Sequence, residues 1–334
     1  MAVVLVTGGA GYIGSHTCKQ LAAAGHTPVT YDSLEHGHRD AVRWGPLVIG
    51  DLRDRGRLSA AMEDYRPDCV LHFAAYIDVG GSVRDPLRFY ENNVGGSLSL
   101  LQTMKEHGVG RIVFSSTCAV YGAPVRLPLD EDHPKAPANP YGASKWMVEQ
   151  LLRDAGSAHG LRSVALRYFN ACGADRDGEI GERHSPETHA LPLAILAAMG
   201  RAPAFHVFGT DYPTPDGTAI RDYIHVEDLA EAHVRALDYL LNGGETAAFN
   251  LGTGRGTSVR ELVDAVGRVT GQPVPMTESP RRDGDVPELV AQPARAAEVL
   301  GWRARHTDLD AIVRSAWRWH LAVEKQKDLM SACG

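Results

Sequence analysis

The stretch Met1-Ala-Val-Val-Leu-Val-Thr-Gly-Gly-Ala-Gly-Tyr-Ile-Gly14 predicts a buried strand that turns through glycines into a helix of about residues 12–24. Gly8 permits a tight turn, Gly11 lets backbone N–H groups approach a diphosphate, and Gly14 lets the helix pack closely on the strand. The N-terminus of that helix then faces an anion. We therefore expect a dinucleotide-binding α/β fold, although the Gly-x-x-Gly-x-x-Gly spacing differs from the Gly-x-Gly-x-x-Gly fingerprint.

An acidic residue closes the second predicted strand, Thr27-Pro-Val-Thr-Tyr-Asp32. Asp32 lies about eighteen residues beyond Gly14, close to the spacing of a carboxylate that binds an adenosine ribose. A carboxylate at this place disfavours a 2′-phosphate because the two negative charges repel. The predicted cofactor is therefore NAD rather than NADP.

Strand and helix patterns then alternate along the chain, as a doubly wound parallel sheet requires. The further strands are predicted at residues 46–49, 68–73, 111–116 and 162–168, and the further helices at 54–65, 91–107 and around Tyr141. Beyond Asn170 the chain becomes rich in Gly, Asp, His and Pro, which marks a boundary. The fold class is therefore α/β, a Rossmann-type sheet with a smaller interleaved α/β substrate lobe.

The predicted organisation has an NAD-binding domain at residues 1–170, to which segments near 220–252 return. The substrate lobe is expected at 171–325, followed by a tail without a clear pattern at 326–334. The later helices are predicted near 190–199, 227–241, 257–270 and 308–322, and short strands near 205–208, 222–224, 247–251 and 273–276.

Composition favours a soluble enzyme subunit. The chain has 334 residues, of which 44% are hydrophobic and 22% charged, so it can bury a sizeable core. A formal net charge of −7 argues against a nucleic-acid partner or an anionic membrane surface. The five cysteines form no Cys-x-x-Cys pair, and neither a targeting signal nor a membrane span is visible, so a cytoplasmic location is expected.

A candidate proton-handling pair occurs in Asn139-Pro-Tyr-Gly-Ala-Ser-Lys145. Tyr141 and Lys145 are four residues apart and share one face of a helix, for which Asn139 is the predicted cap and Pro140 the first residue. Such a pair is common on helix surfaces, so its significance depends on the cofactor turn upstream. In a parallel sheet the strand carboxyl ends carry the ligands, which places Thr117 close to Tyr141.

No metal site is predicted. His184 and His189 could ligate an ion, but no cysteine or carboxylate partner is spaced to support them. The run His225-Val-Glu227 is interpreted as a structural junction between a strand and a helix, because no Pro-Cys-x-x-Cys follows it.

Several segments together resemble the nucleotide-sugar epimerase branch of the extended short-chain dehydrogenase/reductase family. The resemblance covers nearly the whole chain, to about His320. It is carried by the glycine run to Gly14, Ser115-Ser-Thr117, the Tyr141/Lys145 segment, Leu166-Arg-Tyr-Phe-Asn170, Phe208-Gly-Thr-Asp-Tyr-Pro-Thr-Pro-Asp-Gly217, Arg221-Asp-Tyr-Ile-His-Val226, Asn250-Leu-Gly252 and Arg281-Arg-Asp-Gly-Asp285.

The resemblance implies reversible epimerisation at C4 of a UDP-hexose, such as UDP-galactose or UDP-glucose, through a 4-keto sugar with tightly bound NAD. It implies Tyr141, Lys145 and Thr117 as catalytic residues. NAD-binding positions are Gly8, Gly11, Tyr12, Ile13, Gly14, Asp32, Ser33, Gly37, Asp51, Leu52, Phe73, Ala74, Ala75, Asn92, Tyr141, Lys145 and Phe169. Substrate-binding positions are Thr117, Asn170, Ala190, Leu191, His206, Val207, Phe208, Arg221, Arg282 and Asp285.

In this chemistry Tyr141 is the base, and a phenol needs a lowered pKa to act near neutral pH. A decrease of about three pKa units corresponds to roughly 4 kcal/mol. A cation about 5 Å away contributes on the order of 3 kcal/mol at an effective dielectric constant near 20. Lys145 together with the nicotinamide cation is therefore expected to bring the Tyr141 pKa near neutrality.

Alternatives remain open at this level. Leu289 stands where relatives carry a bulky tyrosine or a small residue, and His189 replaces an asparagine, so N-acetylated, uronic or pentose UDP-sugars are alternative substrates. A nucleotide-sugar dehydratase is disfavoured because Cys118 and Ala119 stand where dehydratases carry two acids. A non-enzymatic NAD-sensing module would typically lack the Tyr/Lys pair. The resemblance also implies a homodimer formed by helices at about 91–107 and 140–156.

Overall fold

The computed structural model describes residues 1–282 and 284–332. Its strands are β1 Val3–Thr7, β2 Thr27–Asp32, β3 Leu47–Ile49, β4 Cys69–His72, β5 Arg111–Thr117, β6 Arg162–Tyr168, β7 Asn170–Cys172, β8 Phe205–Phe208, β9 Ile220–Arg221, β10 Tyr223–His225, β11 Ala247–Leu251, β12 Thr257–Ser258, β13 Met276–Ser279 and β14 Glu288–Leu289. Its α-helices are α1 Tyr12–Ala23, α2 Arg55–Tyr65, α3 Val79–Arg84, α4 Pro86–Phe89, α5 Gly96–Glu106, α6 Pro140–His159, α7 Ala190–Ala198, α8 Val226–Leu241, α9 Val259–Thr270, α10 Ala294–Val299 and α11 Leu309–Ala332.

The central sheet has seven parallel strands in the order β11-β6-β5-β4-β1-β2-β3. One face packs on α2, α5 and α6 through residues such as Leu58, Leu100 and Val148. The other face packs on α1 and α8 through residues such as Leu21 and Leu237. The predicted doubly wound α/β class is therefore confirmed, and the carboxyl ends of the parallel strands meet at one edge.

A second group of elements forms the lobe beyond that edge. Three small sheets pair β10 with β7, β9 with β12 and β14, and β13 with β8. Helices α7, α9 and α11 enclose a separate apolar core that includes Ile195, Val266 and Val313. Strand β11 returns to the central sheet beside β6, so the chain crosses between the two groups more than once.

Several predicted elements have different bounds in the structure. The strand expected at 222–224 is two short strands, because Asp222 interrupts them and its carboxylate accepts hydrogen bonds from the backbone of Thr253, Gly254 and Ala291. The strand expected at 273–276 begins only at Met276, since Pro273 and Pro275 have no N–H to donate.

Two helix predictions also need correction. The helix predicted at 91–107 begins with a wider π-helical turn at Tyr90–Gly95 before α5. The tail predicted at 326–334 is helical as far as the structure describes it, because α11 continues to Ala332. Residues 333–334, which include Cys333, lie outside the described residues. Among the described residues no helix combines the length and the apolar character that a membrane crossing requires.

Candidate active site

The glycine turn after β1 has the close backbone contacts that only glycine allows. Gly8 has φ +73°, and a Cβ atom there would lie 2.6 Å from the backbone nitrogen of Ala74. A Cβ on Gly14 would lie 2.2 Å from the carbonyl oxygen of Gly8. Gly11 is the N-cap of α1 and has no side chain, so the helix N-terminus presents its N–H groups without a bulky group beside them. This turn fits the diphosphate of a dinucleotide.

Asp32 lies at the carboxyl end of β2 and organises the loop that follows. Its carboxylate accepts hydrogen bonds from the N–H groups of Ala10 at 3.0 Å and Leu34 at 2.8 Å. A Cβ on Gly37 would lie 2.8 Å from the Asp32 Oδ1 atom, so the loop can approach the carboxylate only with glycine there. Burial raises the pKa of Asp32, and these backbone hydrogen bonds act in the opposite direction.

The other predicted cofactor residues follow neighbouring strands of the same sheet edge. Asp51 follows β3 and pairs with Arg53 at 2.6 Å. Phe73, which follows β4, packs against His233 with ring centroids 4.5 Å apart. The remaining positions are Tyr12, Ile13, Ser33, Leu52, Ala74, Ala75, Asn92 and Phe169, which belong to α1, to the segments after β2, β3, β4 and β6, and to the π-helical turn.

Thr117, Tyr141 and Lys145 lie together where β5 ends and α6 begins. The predicted cap is confirmed: the Asn139 side chain accepts a hydrogen bond from Gly142, and Pro140 is the first helical residue. The Lys145 ammonium donates to the carbonyl oxygen of Ser115 at 2.9 Å. The Thr117 side chain lies close enough to the Tyr141 phenol to act on its pKa. The predicted trio is therefore one cluster.

The pKa values of Tyr141 and Lys145 differ from the expectation that a charged Lys145 lowers the pKa of Tyr141. Burial raises the pKa of Tyr141 to about 12, and the Thr117 side chain only partly opposes it. Burial also lowers the pKa of Lys145 to about 7. An amine that loses its proton near neutral pH gives the phenol little positive charge. The expectation that Lys145 brings Tyr141 toward neutrality is thus not met by the protein's side chains alone.

A chain of buried polar groups connects β1 and β4 to the first turn of α6, and it was not predicted from the sequence. Thr7 and His72 contact each other at 2.7 Å, and His72 contacts Ser97 at 2.8 Å. Asn93, in the π-helical turn, donates to the Ser144 hydroxyl at 3.0 Å. Ser144 in turn donates to the carbonyl oxygen of Tyr141 at 2.7 Å. The available signal was a histidine at the end of an otherwise apolar strand.

A buried ion pair lies behind the cluster and was also missed. Arg167 on β6 binds both carboxylate oxygens of Glu149 on α6, at 2.9 and 2.6 Å. Glu149 also accepts from Ser116 at 2.6 Å, and Arg167 donates to Tyr121 at 3.0 Å. The exposed fractions of the Arg167 and Glu149 side chains are 5% and 6%. The sequence features that could have indicated this ion pair were Arg167 within an apolar strand and Glu149 on the inner face of a helix.

The predicted arginines of the second lobe converge on one carboxylate. Arg282 binds Asp285 at 2.8 Å and lies 4.8 Å from the ring centre of Phe208. Arg221 reaches within 3.9 Å of Asp285, and His206 stacks on Phe208 with centroids 6.0 Å apart. This arrangement combines two guanidinium groups with an exposed aromatic face. It is suited to a nucleoside diphosphate.

The remaining predicted substrate residues fall into two groups. Asn170 and Ala190 are partly exposed at the starts of β7 and α7. The side chains of Leu191 and Val207 are buried in the apolar core of the second lobe. Only the main-chain groups of Leu191 and Val207 are therefore left for a ligand.

Leu289 pairs in register with Arg221. It packs against the apolar cluster that contains Phe169 and Cys118. These contacts place it between Arg221 and the cluster of Phe169 and Cys118.

The statement that His184 and His189 lack carboxylate partners is wrong. Glu182 Oε1 lies 2.6 Å from His189 Nδ1 and 3.3 Å from His184 Nδ1, and Glu187 lies 3.4 and 3.8 Å from the same two nitrogens. The spacing Glu182-x-His184-x-x-Glu187-x-His189 was the missed signal. Burial lowers the pKa of both histidines, but the carboxylates raise it more, to about 9 for His184 and about 10 for His189.

The strand-to-helix interpretation of His225 agrees with the structure. His225 ends β10, and its side chain caps α8 by accepting from the N–H of Glu227 at 3.2 Å.

Comparison with known proteins gives a consistent result. The family model described as the NAD dependent epimerase/dehydratase family matches residues 4–252. A UDP-glucose 4-epimerase from Rhizobium meliloti (strain 1021) is 59% identical over 317 residues, which are 95% of this chain and 96% of that protein.

Solved structures agree over the same length. UDP-glucose 4-epimerase from Brucella ovis in complex with NAD has a TM-score of 0.93 and 55% identity, covering 95% of this chain and 98% of that one. UDP-glucose 4-epimerase from Bifidobacterium longum in complex with NAD⁺ and UDP has a TM-score of 0.92 and 38% identity, covering 96% of this chain and 98% of that one.

Proposed function

The chain belongs to the NAD dependent epimerase/dehydratase family, and we propose that it interconverts UDP-galactose and UDP-glucose by epimerisation at C4 with bound NAD. The observation that carries this proposal is the joint position of Thr117, Tyr141 and Lys145 at the sheet edge that also holds the glycine turn. Proton-handling groups and a cofactor cradle thus face the same space.

The cofactor site fits NAD in this structure. The turn at Gly8 and Gly14 packs this closely only because both residues lack a Cβ, and such a turn is typical of a diphosphate site. We assign Asp32, at the end of β2, to the adenosine ribose. We assign Lys145 to the nicotinamide ribose. NAD, when bound, supplies the hydride acceptor and donor for C4 of the sugar, so the sugar passes through a 4-keto form.

The side chains of the chain itself then move the proton and hold the sugar. Tyr141 takes the proton of the 4-hydroxyl when the sugar is oxidised and returns it after the sugar has rotated. Thr117 bridges the hydroxyl and the phenol. Arg221 and Arg282 hold the diphosphate of the substrate with their forked donors, while the exposed ring of Phe208 offers a surface beside them.

The dehydratase alternative lacks chemical groups at the required place. Elimination of a 6-hydroxyl needs an acid and a base next to the Tyr141 cluster, where this chain has Cys118 and Ala119. Burial raises the pKa of the Cys118 thiol to about 12, so this group does not serve as a base near neutral pH. A net dehydrogenase is distinguished experimentally, because it accumulates NADH.

Substrate breadth is the second candidate reading, and one observation favours it. Leu289 lies between Arg221 and the Phe169 cluster, and its side chain is smaller than a tyrosine. Removing bulk there would leave more room for an N-acetyl group. UDP-N-acetylhexosamines therefore stay as alternative substrates, together with uronic and pentose UDP-sugars.

The direct test incubates purified protein with UDP-galactose without added NAD and follows the formation of UDP-glucose. We expect conversion to a fixed ratio of the two sugars with no accumulation of NADH, since the cofactor is regenerated in each cycle. Parallel reactions with UDP-N-acetylglucosamine and UDP-glucuronic acid measure breadth. Folded protein that contains NAD yet does not interconvert UDP-galactose and UDP-glucose would contradict the proposal.

The arginine pair gives a prediction about substrate affinity. Arg282→Lys is expected to raise KM for UDP-galactose by about tenfold or more with kcat little changed, because an ammonium cannot bind a diphosphate bidentately. Steady-state kinetics measure both constants. The matched control is Arg281→Lys, since Arg281 binds Asp211 at 2.7 Å instead. Equal effects of the two substitutions would refute the assignment of Arg282.

We infer that the chain forms a homodimer through α5 and α6. Helices α3, α4 and α5 all contact α6. Each of these four helices exposes a large apolar side chain, and these are Val83, Leu87, Leu98 and Met147 at 61%, 77%, 43% and 41%. An apolar surface of this kind is typical of a protein interface.

Light scattering is expected to give twice the chain mass of 36.1 kDa for the native protein. Leu87→Asp together with Leu98→Asp is expected to give one chain mass, because each buried carboxylate would be unpaired. Val299→Asp is the control, because Val299 is similarly exposed, at 45%, on α10. A native monomer, or a dimer that survives the double substitution, would exclude this interface.

A further inference from the structure

The segment between β7 and α7 brings four ligand-type side chains close together, none of which belongs to the Tyr141 cluster. One ligand atom from each of Glu182, His184, Glu187 and His189 lies within 4.8 Å of the others. The four N···O distances between histidine and glutamate are 2.6, 3.3, 3.4 and 3.8 Å. A tetrahedral ion with bonds of about 2.0–2.1 Å places its ligand atoms roughly 3.3 Å apart. The four histidine–glutamate distances lie on both sides of this value.

The buried atoms of the cluster face one another without aligned hydrogen bonds. Glu182 is 3% exposed, and its Oε1 atom is buried with no hydrogen-bond partner. The Nδ1 atoms of His184 and His189 are also buried and have no hydrogen-bond partner. Glu182 Oε1 and His189 Nδ1 are only 2.6 Å apart, yet they do not satisfy hydrogen-bond geometry. A carboxylate oxygen and two nitrogens that are buried close together without hydrogen-bond partners are groups that a cation would satisfy.

We propose that Glu182, His184, Glu187 and His189 bind a tetrahedral divalent cation of the zinc class. Two imidazole nitrogens and two carboxylate oxygens form a ligand set suited to Zn²⁺, whereas Mg²⁺ and Ca²⁺ prefer oxygen ligands alone. All four positions come from the protein, so no place is left for water or substrate. Such a closed site is structural rather than catalytic.

The proposed site ties together parts of the chain that are distant in sequence. The ring of His184 contacts the ring of Tyr12 at the start of α1, with centroids 6.4 Å apart. Trp319 on α11 donates to the carbonyl oxygen of Glu182 at 2.9 Å. His189 directly precedes α7. The ion would therefore stabilise the contacts of this segment with α1, α11 and the start of α7.

Other metal-like clusters in the described part of the chain already have cationic or capping partners. Asp175, Asp177 and Glu179 all bind the ammonium of Lys19, at 2.6–2.9 Å. In the cluster of His225, Glu227 and His306, Glu227 binds Arg176 at 3.1 Å. Each of these clusters thus has a lysine or arginine counterion from the protein. They serve as internal comparisons for the proposed site.

The experiment uses the full chain without a polyhistidine tag, purified without chelators and equilibrated with Zn²⁺ before gel filtration. Elemental analysis is expected to find about one zinc per chain. Replacement by Co²⁺ is expected to give the intense visible bands of a tetrahedral cobalt site. Removal of zinc with a chelator is expected to lower the melting temperature by ~5 °C.

Three variants locate the ion. Glu187→Gln and His184→Gln are expected to reduce bound zinc at least tenfold, in line with the loss of one ligand. His159→Gln, a change of the same type at the exposed end of α6, is expected to retain it, and so is His306→Gln in the comparison cluster. Native protein that binds less than about 0.2 zinc per chain would show that imidazolium–carboxylate pairs fill the cluster and overturn the proposal. Loss of zinc in His306→Gln but not in His184→Gln would overturn it as well.

Discussion

Tyr141→Phe is expected to lower kcat for UDP-galactose by about 10²- to 10⁴-fold, the range that a positioned general acid–base group contributes. The phenol lies beside Thr117, and phenylalanine keeps its ring but not its proton. The loss should fall on kcat more than on KM, because the arginine pair that holds the diphosphate is unchanged. Steady-state kinetics of the purified variant give both constants.

Two controls make this result specific. NAD content and melting temperature of Tyr141→Phe should match the native protein, since the ring and the α6 cap remain. Tyr168→Phe removes another buried phenol from the same region, where Tyr168 contacts Ser115. That variant is expected to lose at most about tenfold in kcat, because Tyr168 does not contact the substrate in this assignment. Near-native turnover by folded, NAD-loaded Tyr141→Phe would disprove the catalytic role.

Arg167→Met is expected to lower the free energy of unfolding by about 3–5 kcal/mol, because it leaves the Glu149 carboxylate buried without its cation. The pair has exposed fractions of only 5% and 6%, so water cannot replace the lost partner. The double variant Arg167→Met/Glu149→Leu is expected to recover most of this loss, since neither charge then remains. Thermal unfolding at fixed protein and NAD concentrations compares the variants under equal conditions.

The control for this prediction is the same substitution at an exposed ion pair. Arg268 binds Asp310 at 2.7 Å, with exposed fractions of 57% and 36%. Arg268→Met should change the free energy of unfolding by less than about 1 kcal/mol, because solvent screens the pair. An effect of Arg167→Met as small as that of Arg268→Met would show that burial of the Arg167–Glu149 pair does not make its loss costly. A double variant no more stable than the single one would point instead to lost packing.

Local patterns explain which parts of the architecture were predictable. The glycine turn, the acid that ends β2 and the helix cap at Asn139 depend on neighbouring residues, so short segments specify them. Strands β2 and β6 have the predicted bounds. The errors occur where a residue distant in sequence sets the local conformation. Asp222 is an example, because it accepts hydrogen bonds from Thr253, Gly254 and Ala291. The wider turn at Tyr90–Gly95 likewise lets Asn93 reach Tyr76 and Ser144.

The protonation states show a second limit. Spacing placed Tyr141 and Lys145 on one helix face, and the structure puts both beside Thr117 and Ser115. Spacing could not show that burial moves the two pKa values apart, to about 12 and about 7. Desolvation depends on every atom packed around a group, and those atoms come from distant segments.

The sequence by itself determined the α/β class, the NAD turn at Gly8, Gly11 and Gly14, and the Tyr141/Lys145 pair, because each is set by backbone conformation and spacing within a few residues. Only the tertiary structure decided that Arg167 pairs with Glu149 and that Arg221 and Arg282 share Asp285. The tertiary structure also decided which ionisable groups, such as Tyr141 and Lys145, are desolvated by burial. These outcomes depend on contacts between segments far apart in the chain, and packing brings those segments together only after the fold has formed.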